Sequence, residues 1–416
     1  MDKKRFIIIF VSVLIITLVF GGLGLMYYAH LRKSDETDWQ ERYGDQETAG
    51  KLLTENSKAE DTGIIQTDAD DEQMTEKSDF GKSQNSDELS SSEPSTPVTL
   101  VFTGDICFHD PYANMGAYRQ RGSSIDNCID GVLLSEMRNA DICMVNNEFP
   151  YSDRGAPLEG KTYAFRSKPS NVSILTDMGV DIAGIANNHA FDHGETAFLD
   201  TLDTLAGAGI PYVGGGHNIE EAASPVIIEK GGMKIGFVAA TQIERNWSPD
   251  TRGATDTQPG VMRTFTESEL PRFLEAIRKA DAMCDFLVVF VHWGSENTDV
   301  LDGHQTGQAA AYAEAGADLI VGCHPHCLQG LGMCGQVPVI YSLGNYWFNS
   351  KRVDTALLKV VVEDCRISSL QMIPALQHDC RTDHVEGSEA DRIISYLNSI
   401  SIGGAHLDGS GYLEFS

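Results

Sequence analysis

Between Val98 and Asn345 the chain carries six short apolar runs, and each stops at a tight cluster of polar residues. Val98 to Phe102 ends at Thr103-Gly104-Asp105, Asp141 to Val145 at Asn146-Asn147-Glu148, and Asp181 to Ala186 at Asn187-Asn188-His189. Phe286 to Val291 ends at His292-Trp293-Gly294, Asp318 to Val321 at Gly322-Cys323-His324-Pro325-His326, and Val337 to Ser342 at Leu343-Gly344-Asn345. Continuous apolar runs of this length suit strands covered on both faces, because a half-exposed strand would alternate apolar with polar.

Helical patterns separate the runs. Ser170 to Met178 and Glu195 to Ala208 each stop at a glycine, Gly179 and Gly209, the residue that most readily takes the left-handed conformation closing a helix. Thr266 to Ala280 opens on a hydroxyl cap and carries Leu270, Phe273, Leu274 and Ile277 on one face. Gln308 to Ala315 is a further helix, ending at Gly316. Strand and helix in alternation predict an α/β fold. Val226 to Ala239, broken at Gly231-Gly232, reads as a hairpin, and Leu357 to Ile373 as a second antiparallel pair, so the sheets are expected to be mixed.

In open α/β sheets, ligands bind beyond the carboxyl ends of the strands. Five of these strands bring Asp105, Glu148, Asn188 with His189, His292, and His324 with His326 to that edge. Taken singly, each has a plainer reading: an Asp after a strand usually caps a turn, paired asparagines shape one, and a His in an apolar run is commonly a satisfied core residue. Together, oxygen donors from Asp105, Glu148 and Asn188 and nitrogen donors from His292, His324 and His326 form a set suited to Mn, Fe or Zn, as one ion or two. His189, next to a ligand but outside the ligand set, is the candidate proton donor. His109, His193, His217 and His304 lack such placement and read as surface or supporting residues.

The first thirty residues set the address. Lys3, Lys4 and Arg5 precede an uncharged apolar run from Phe6 to Tyr28, long enough to cross a hydrocarbon core of about 30 Å. Residues 1–33 are therefore expected to be a signal anchor, a transmembrane helix, with a cleaved signal peptide as the alternative. Residues 34–97 read as a disordered linker rich in Ser, Asp and Glu, with an acidic excess of about 13 that makes up much of the formal net charge of −29. Residues 98–416 are left as the folded domain. The expected location is the cell membrane, single-pass, with the C-terminal domain extracellular. So acidic a chain is not expected to bind nucleic acid. The nine cysteines are odd in number and scattered, so buried free thiols are expected, with Cys365 and Cys380 the one local pair left open.

The ordered set Thr103-Gly104-Asp105, Asn147-Glu148, Ala186-Asn187-Asn188-His189 with Asp192 and Gly194, His292-Trp293-Gly294 with Glu296, Gly322-Cys323-His324-Pro325-His326 and Tyr341-Ser342-Leu343-Gly344-Asn345 resembles the CapA family. Phe165-Arg166 with Pro169, and Asp200-Thr201-Leu202, extend the likeness, which covers roughly residues 98 to 350. The resemblance implies a role in poly-γ-glutamate capsule synthesis or export, an anionic capsule polymer or a phosphoester as substrate, and other capsule-synthesis membrane subunits as partners. It also implies a metallophosphoesterase-like sandwich of two mixed β-sheets flanked by helices. On that pattern Asp105, Glu148, Asn188, His292, His324 and His326 are metal ligands and His189 the proton donor, while Arg166, Asn187, Asp192, Glu296 and Asn345 face substrate. Two positions depart from it. Cys107 stands where the phosphoesterases place a His, and Glu148 replaces their bridging Asp. A metal-dependent hydrolase and a non-catalytic polymer-binding or scaffold subunit therefore both remain open, as does an envelope phosphoesterase unrelated to polyglutamate.

Overall fold

The computed structural model describes residues 96–243, 252–266 and 268–414. The expected anchor over 1–33 and nearly all of the expected linker over 34–97 lie outside the described residues. Among those described, no helix is long and apolar enough to cross a membrane. Thr96 and Pro97 lead straight into the first strand, and the Thr96 amide donates to the Gly231 carbonyl at 3.0 Å.

In chain order the elements are β1 (Val98–Ile106), α1 (Ala113–Gln120), α2 (Gly131–Asn139), β2 (Ile142–Asn147), α3 (Ser173–Met178), β3 (Ile182–Gly184) and α4 (Gly194–Gly207). Then come β4 (Tyr212–Val213), β5 (Gly215–Gly216), α5 (Ile219–Ala223), β6 (Val226–Lys230), β7 (Met233–Thr241), β8 (Gly260–Val261), α6 (Glu269–Asp281), β9 (Phe286–His292) and α7 (Gly303–Glu314). The remainder is β10 (Leu319–Cys323), β11 (Leu328–Cys334), β12 (Val337–Leu343), β13 (Asn345–Trp347), β14 (Val353–Glu363), β15 (Arg366–His378), β16 (Arg381–His384) and α8 (Ser388–Ile400).

Among the described residues the strands form two large mixed sheets and one short ribbon. An eight-stranded sheet runs β16-β15-β14-β1-β2-β3-β4 with β13 added beside β1, and a six-stranded sheet runs β11-β12-β10-β9-β7-β6. Both expected antiparallel pairs are present, β6 with β7 and β14 with β15. The six runs are strands, but they do not share one sheet edge: β1, β2 and β3 belong to one sheet and β9, β10 and β12 to the other. Periodicity cannot reveal this, because every one of these strands is covered on both faces and so reads alike.

Alternate residues of β9 show how that burial works. Phe286, Val288 and Phe290 join the core that includes β1 and β2, whereas Leu287, Val289 and Val291 join a second core with Phe273, Ile277 and Tyr312 of α6 and α7. His292 continues the first series, so the period of two turns it inward at the strand's end. The chain crosses from the six-stranded sheet to the eight-stranded one at Gly344, between β12 and β13, beside the end of β1. Asp105 pairs with Asn345 of β13, and its amide donates to the Gly344 carbonyl at 2.8 Å. A Cβ on Gly104 would fall 1.9 Å from that carbonyl oxygen, so only glycine permits the approach.

All nine cysteines are free, so the pairing of Cys365 with Cys380 does not form. The two sit in the turns at opposite ends of the 13-residue strand β15. At about 3.3 Å per residue that separates them by roughly 40 Å, against the few ångströms a disulfide spans.

Candidate metal centre

The cluster is built from the carboxyl ends of strands in both sheets. Asp105, Glu148, Asn188 and His292 are essentially inaccessible to solvent, and His324 and Asn345 nearly so. Asp105 Oδ2 accepts from the His324 amide at 3.3 Å and lies 3.3 Å from His326 Nδ1. His292 Nε2 lies 2.9 Å from Asn188 Oδ1 and 3.0 Å from His324 Nδ1. His326 Nδ1 also lies 2.9 Å from Asn345 Oδ1. All six residues expected as metal ligands are thus gathered in one place.

At the centre is Glu148 Oε1. This buried carboxylate oxygen finds no hydrogen-bond partner among the described residues. Around it stand three imidazole Nε2 atoms, from His292 at 3.7 Å, His189 at 3.8 Å and His326 at 3.9 Å. Those separations are too long for hydrogen bonds; His292 and His326 suit donors that converge with Glu148 on a cation at about 2.0–2.2 Å each, and His189 faces the same oxygen from outside the ligand groups. Three overlapping groups meet this description: Asp105 with His292 and Cys323, Glu148 with His292 and His324, and Asp105 with Glu148 and His326. Shared members mean that the groups can serve one ion or two neighbours. On the donor set and the partnerless oxygen, the residues present fit a divalent transition metal.

The electrostatics of the cluster agree. Burial pushes the Glu148 carboxyl well above its usual range, and neighbouring Asp105 pushes it further. Burial holds the His292 imidazole well below its ordinary value, with His324 and His326 adding to the effect. Burial also opposes charging His326, yet the carboxylate of Asp105 outweighs it and raises that pKa. Glu148 is thus driven toward its neutral form by burial and a like charge, the condition that a cation placed beside it would relieve.

The backbone here is strained. His324 has φ +105° and His326 has φ +58°, both in the region that favours glycine. Such conformations cost of order 1–3 kcal/mol each and persist where surrounding structure imposes them. Here the turn sets the His324 amide and the His326 imidazole on the same Asp105 oxygen and turns the His324 ring toward His292.

His189 is fixed from two sides. Its Nδ1 lies 2.7 Å from Asp192 Oδ2, and Phe165 stacks on its ring at 4.1 Å between centroids. Burial lowers its pKa, against an opposing pull from Asp192. Asp192, expected to face substrate, is instead fully buried behind His189, where it also accepts from the Phe165 amide at 2.5 Å. Asn187 is likewise buried, its amide bracing Asn146 Oδ1 and the Asn147 carbonyl. Of the other residues expected at substrate, Glu296 is exposed on the loop after β9, and Arg166 is half-buried and donates to the Arg154 carbonyl at 3.4 Å. Neither of these two joins the ligand cluster.

Three members of the neighbourhood were not singled out from sequence. Asn146 Nδ2 donates to Asp105 Oδ1 at 2.7 Å, and it sits two residues before Glu148, where a period of two would have put it on the same face. Lys161 Nζ lies 2.6 Å from Asp192 Oδ1 and donates to the Asn188 carbonyl at 2.5 Å, with its side chain 4% exposed. It comes from an irregular loop that offers no periodic signal. Cys323 reads in sequence as an ordinary strand thiol.

The sequence model of the family described as "Bacterial capsule synthesis protein PGA_cap" matches residues 99–350. Among curated proteins, the "PGA biosynthesis protein CapA" of Bacillus subtilis is 27% identical over 287 residues, covering 68% of this chain and 72% of that protein. The "Capsule biosynthesis protein CapA" of Bacillus anthracis is 28% identical over 244 residues, covering 57% of this chain and 58% of its own length. A "Probable polyglutamine synthesis accessory protein" of Mycobacterium tuberculosis is 26% identical over 287 residues, covering 65% and 76%. The matched span holds every residue of the cluster, and the chain belongs to the PGA_cap family, the CapA proteins of bacterial capsule synthesis.

Proposed function

We propose that this chain is a membrane-anchored, externally facing protein of poly-γ-glutamate capsule synthesis or export, with a metal-dependent hydrolase site acting on a phosphoester or a bond of the envelope polymer. The names of the relatives support the capsule assignment, and the apolar run from Phe6 to Tyr28 supports the anchor. Two mixed sheets with polar strand ends facing one another support a metallophosphoesterase-like scaffold. The observation that carries the site is Glu148 Oε1, buried, without a hydrogen-bond partner among the described residues, and ringed by three imidazole nitrogens.

In this reading Asp105, Glu148, Asn188, His292, His324 and His326 hold one or two ions of Mn, Fe or Zn. A divalent cation there supplies Lewis acidity toward an anionic or carbonyl oxygen of the substrate. His189 turns Nε2 toward the cluster while Asp192 accepts from Nδ1. The imidazole is thereby held in one orientation, able to carry a proton on Nε2 and give it to a leaving oxygen. Asn345 orients His326, and Arg166 and Glu296 stand at the rim to meet substrate. Other capsule-synthesis membrane subunits are the expected partners.

One observation favours a second reading. Cys107, at the position where the phosphoesterases it resembles place a His, is buried and belongs to none of the three ligand groups. A cleft with one ion could grip an anionic polymer without cutting it. Assays on phosphomonoesters, phosphodiesters and poly-γ-glutamate, with metal content measured on the same samples, separate the two. Turnover by the wild type that His189→Ala abolishes supports the hydrolase. A wild type inert on every substrate, with capsule still made in cells carrying His189→Ala, leaves the binding subunit.

A further inference from the structure

Below the strained turn at His324 lies a thiol with no part in the reading above. Cys323 is the last residue of β10 and is aligned with His292 across the parallel ladder to β9. Residues in register on neighbouring strands point to the same face of a sheet, so Sγ and the His292 imidazole both enter the space between the two sheets. Cys323 is fully buried. Its hydrogen bond to the Val291 carbonyl is long at 3.9 Å. Ligand atoms of Asp105, His292 and Cys323 all lie within 4.8 Å of one another. Cys323 packs into the apolar core on one side and shares its space with a carboxylate and an imidazole on the other.

We propose that Cys323 is a thiolate ligand to the cation held by Asp105 and His292, which makes this a mixed oxygen, nitrogen and sulfur site that prefers zinc or iron(II) to manganese. The proposal rests on the metal centre inferred above and narrows its chemistry. Oxygen and imidazole donors alone serve Mn, Fe and Zn alike, whereas a soft sulfur donor discriminates among them. On binding, the sulfur–hydrogen bond is exchanged for a sulfur–metal bond and the proton leaves to solvent; nothing is oxidised or reduced.

The test is optical. The full-length protein, purified in detergent, stripped with a chelator and titrated anaerobically with Co²⁺, should develop near-ultraviolet sulfur-to-cobalt charge-transfer absorption in proportion to bound cobalt. Cys323→Ser should lose that absorption and still bind cobalt, and Cys107→Ser should keep it. Zn²⁺ affinity of Cys323→Ser should fall by about tenfold or more, with a smaller loss for Mn²⁺. Cobalt bound by the wild type with ligand-field bands alone would overturn the proposal, as would absorption that survives in Cys323→Ser. Neither outcome would touch the parent reading, since the cation would still be bound. Failure of the wild type to bind cobalt at all would remove both. The wild-type spectrum decides even if the serine variant does not fold.

Discussion

His189 and Asp192 form a buried pair, Nδ1 to Oδ2 at 2.7 Å, within one irregular turn after β3. The second carboxylate oxygen of Asp192 faces Lys161 Nζ at 2.6 Å. The imidazole is therefore positioned by a carboxylate that is itself neutralised, and its free nitrogen is aimed at the cluster.

Removing the imidazole should separate chemistry from metal binding. His189→Ala is expected to retain the wild-type metal content and to lose turnover by about 10²–10⁴-fold, the usual contribution of a general acid. Asp192→Asn should also retain metal and lose less activity, because the ring stays stacked on Phe165. Steady-state rates and elemental analysis on the same samples check both.

Lys161 and Asp192 should be coupled in stability. Lys161→Met leaves a buried carboxylate without its cation, a change that typically costs about 3–5 kcal/mol. Lys161→Met with Asp192→Asn should cost clearly less than the sum of the single changes. Denaturant melts of the four proteins give the coupling energy; additivity would show that the pair is not an energetic unit.

The closeness of β1 to the Gly344 carbonyl makes a third prediction. Gly104→Ala inserts a methyl where 1.9 Å is available, so either the strand ends separate or the fold is lost. Overpacking of this kind costs about 1–3 kcal/mol or more, readable as a lowered Tm, and it should weaken metal binding by moving Asp105.

How much of this was legible in the sequence follows from what each residue depends on. Asp105, Glu148, Asn188, His292, His324 and His326 all follow apolar runs, and a strand end is a local property, so their common location could be read from pattern alone. The split into two sheets could not, because pairing is a matter of topology: β7 joins β9 in parallel, and β12 inserts between β10 and β11. Lys161 was invisible because its loop has no period, and its role exists only through contact with Asp192. Cys323 is the buried free thiol that the sequence leads one to expect, but its place beside His292 is set by strand register, which composition does not encode. The burial of Asn187 and Asp192, and their bonds to Asn146 and His189, depend on neighbours far apart in the chain or across a turn and are not written in any local pattern.

The proposed location of the domain outside the cell has its own check. Protease added to intact cells should release a soluble fragment beginning in the acidic segment before residue 98. Full protection in intact cells, with digestion only after lysis, would reject an outward-facing domain.

The central claim is that the cluster around Glu148 is a metal centre, and metal content tests it most directly. Protein purified after supplementation with Mn, Fe or Zn should carry one or two equivalents of transition metal by elemental analysis. Replacing His324 and His326 together with Ala removes ligands from two of the three overlapping groups, and the content should fall severely. A wild type that holds no metal under any of these supplements, or a double variant that keeps the full amount, would contradict the account.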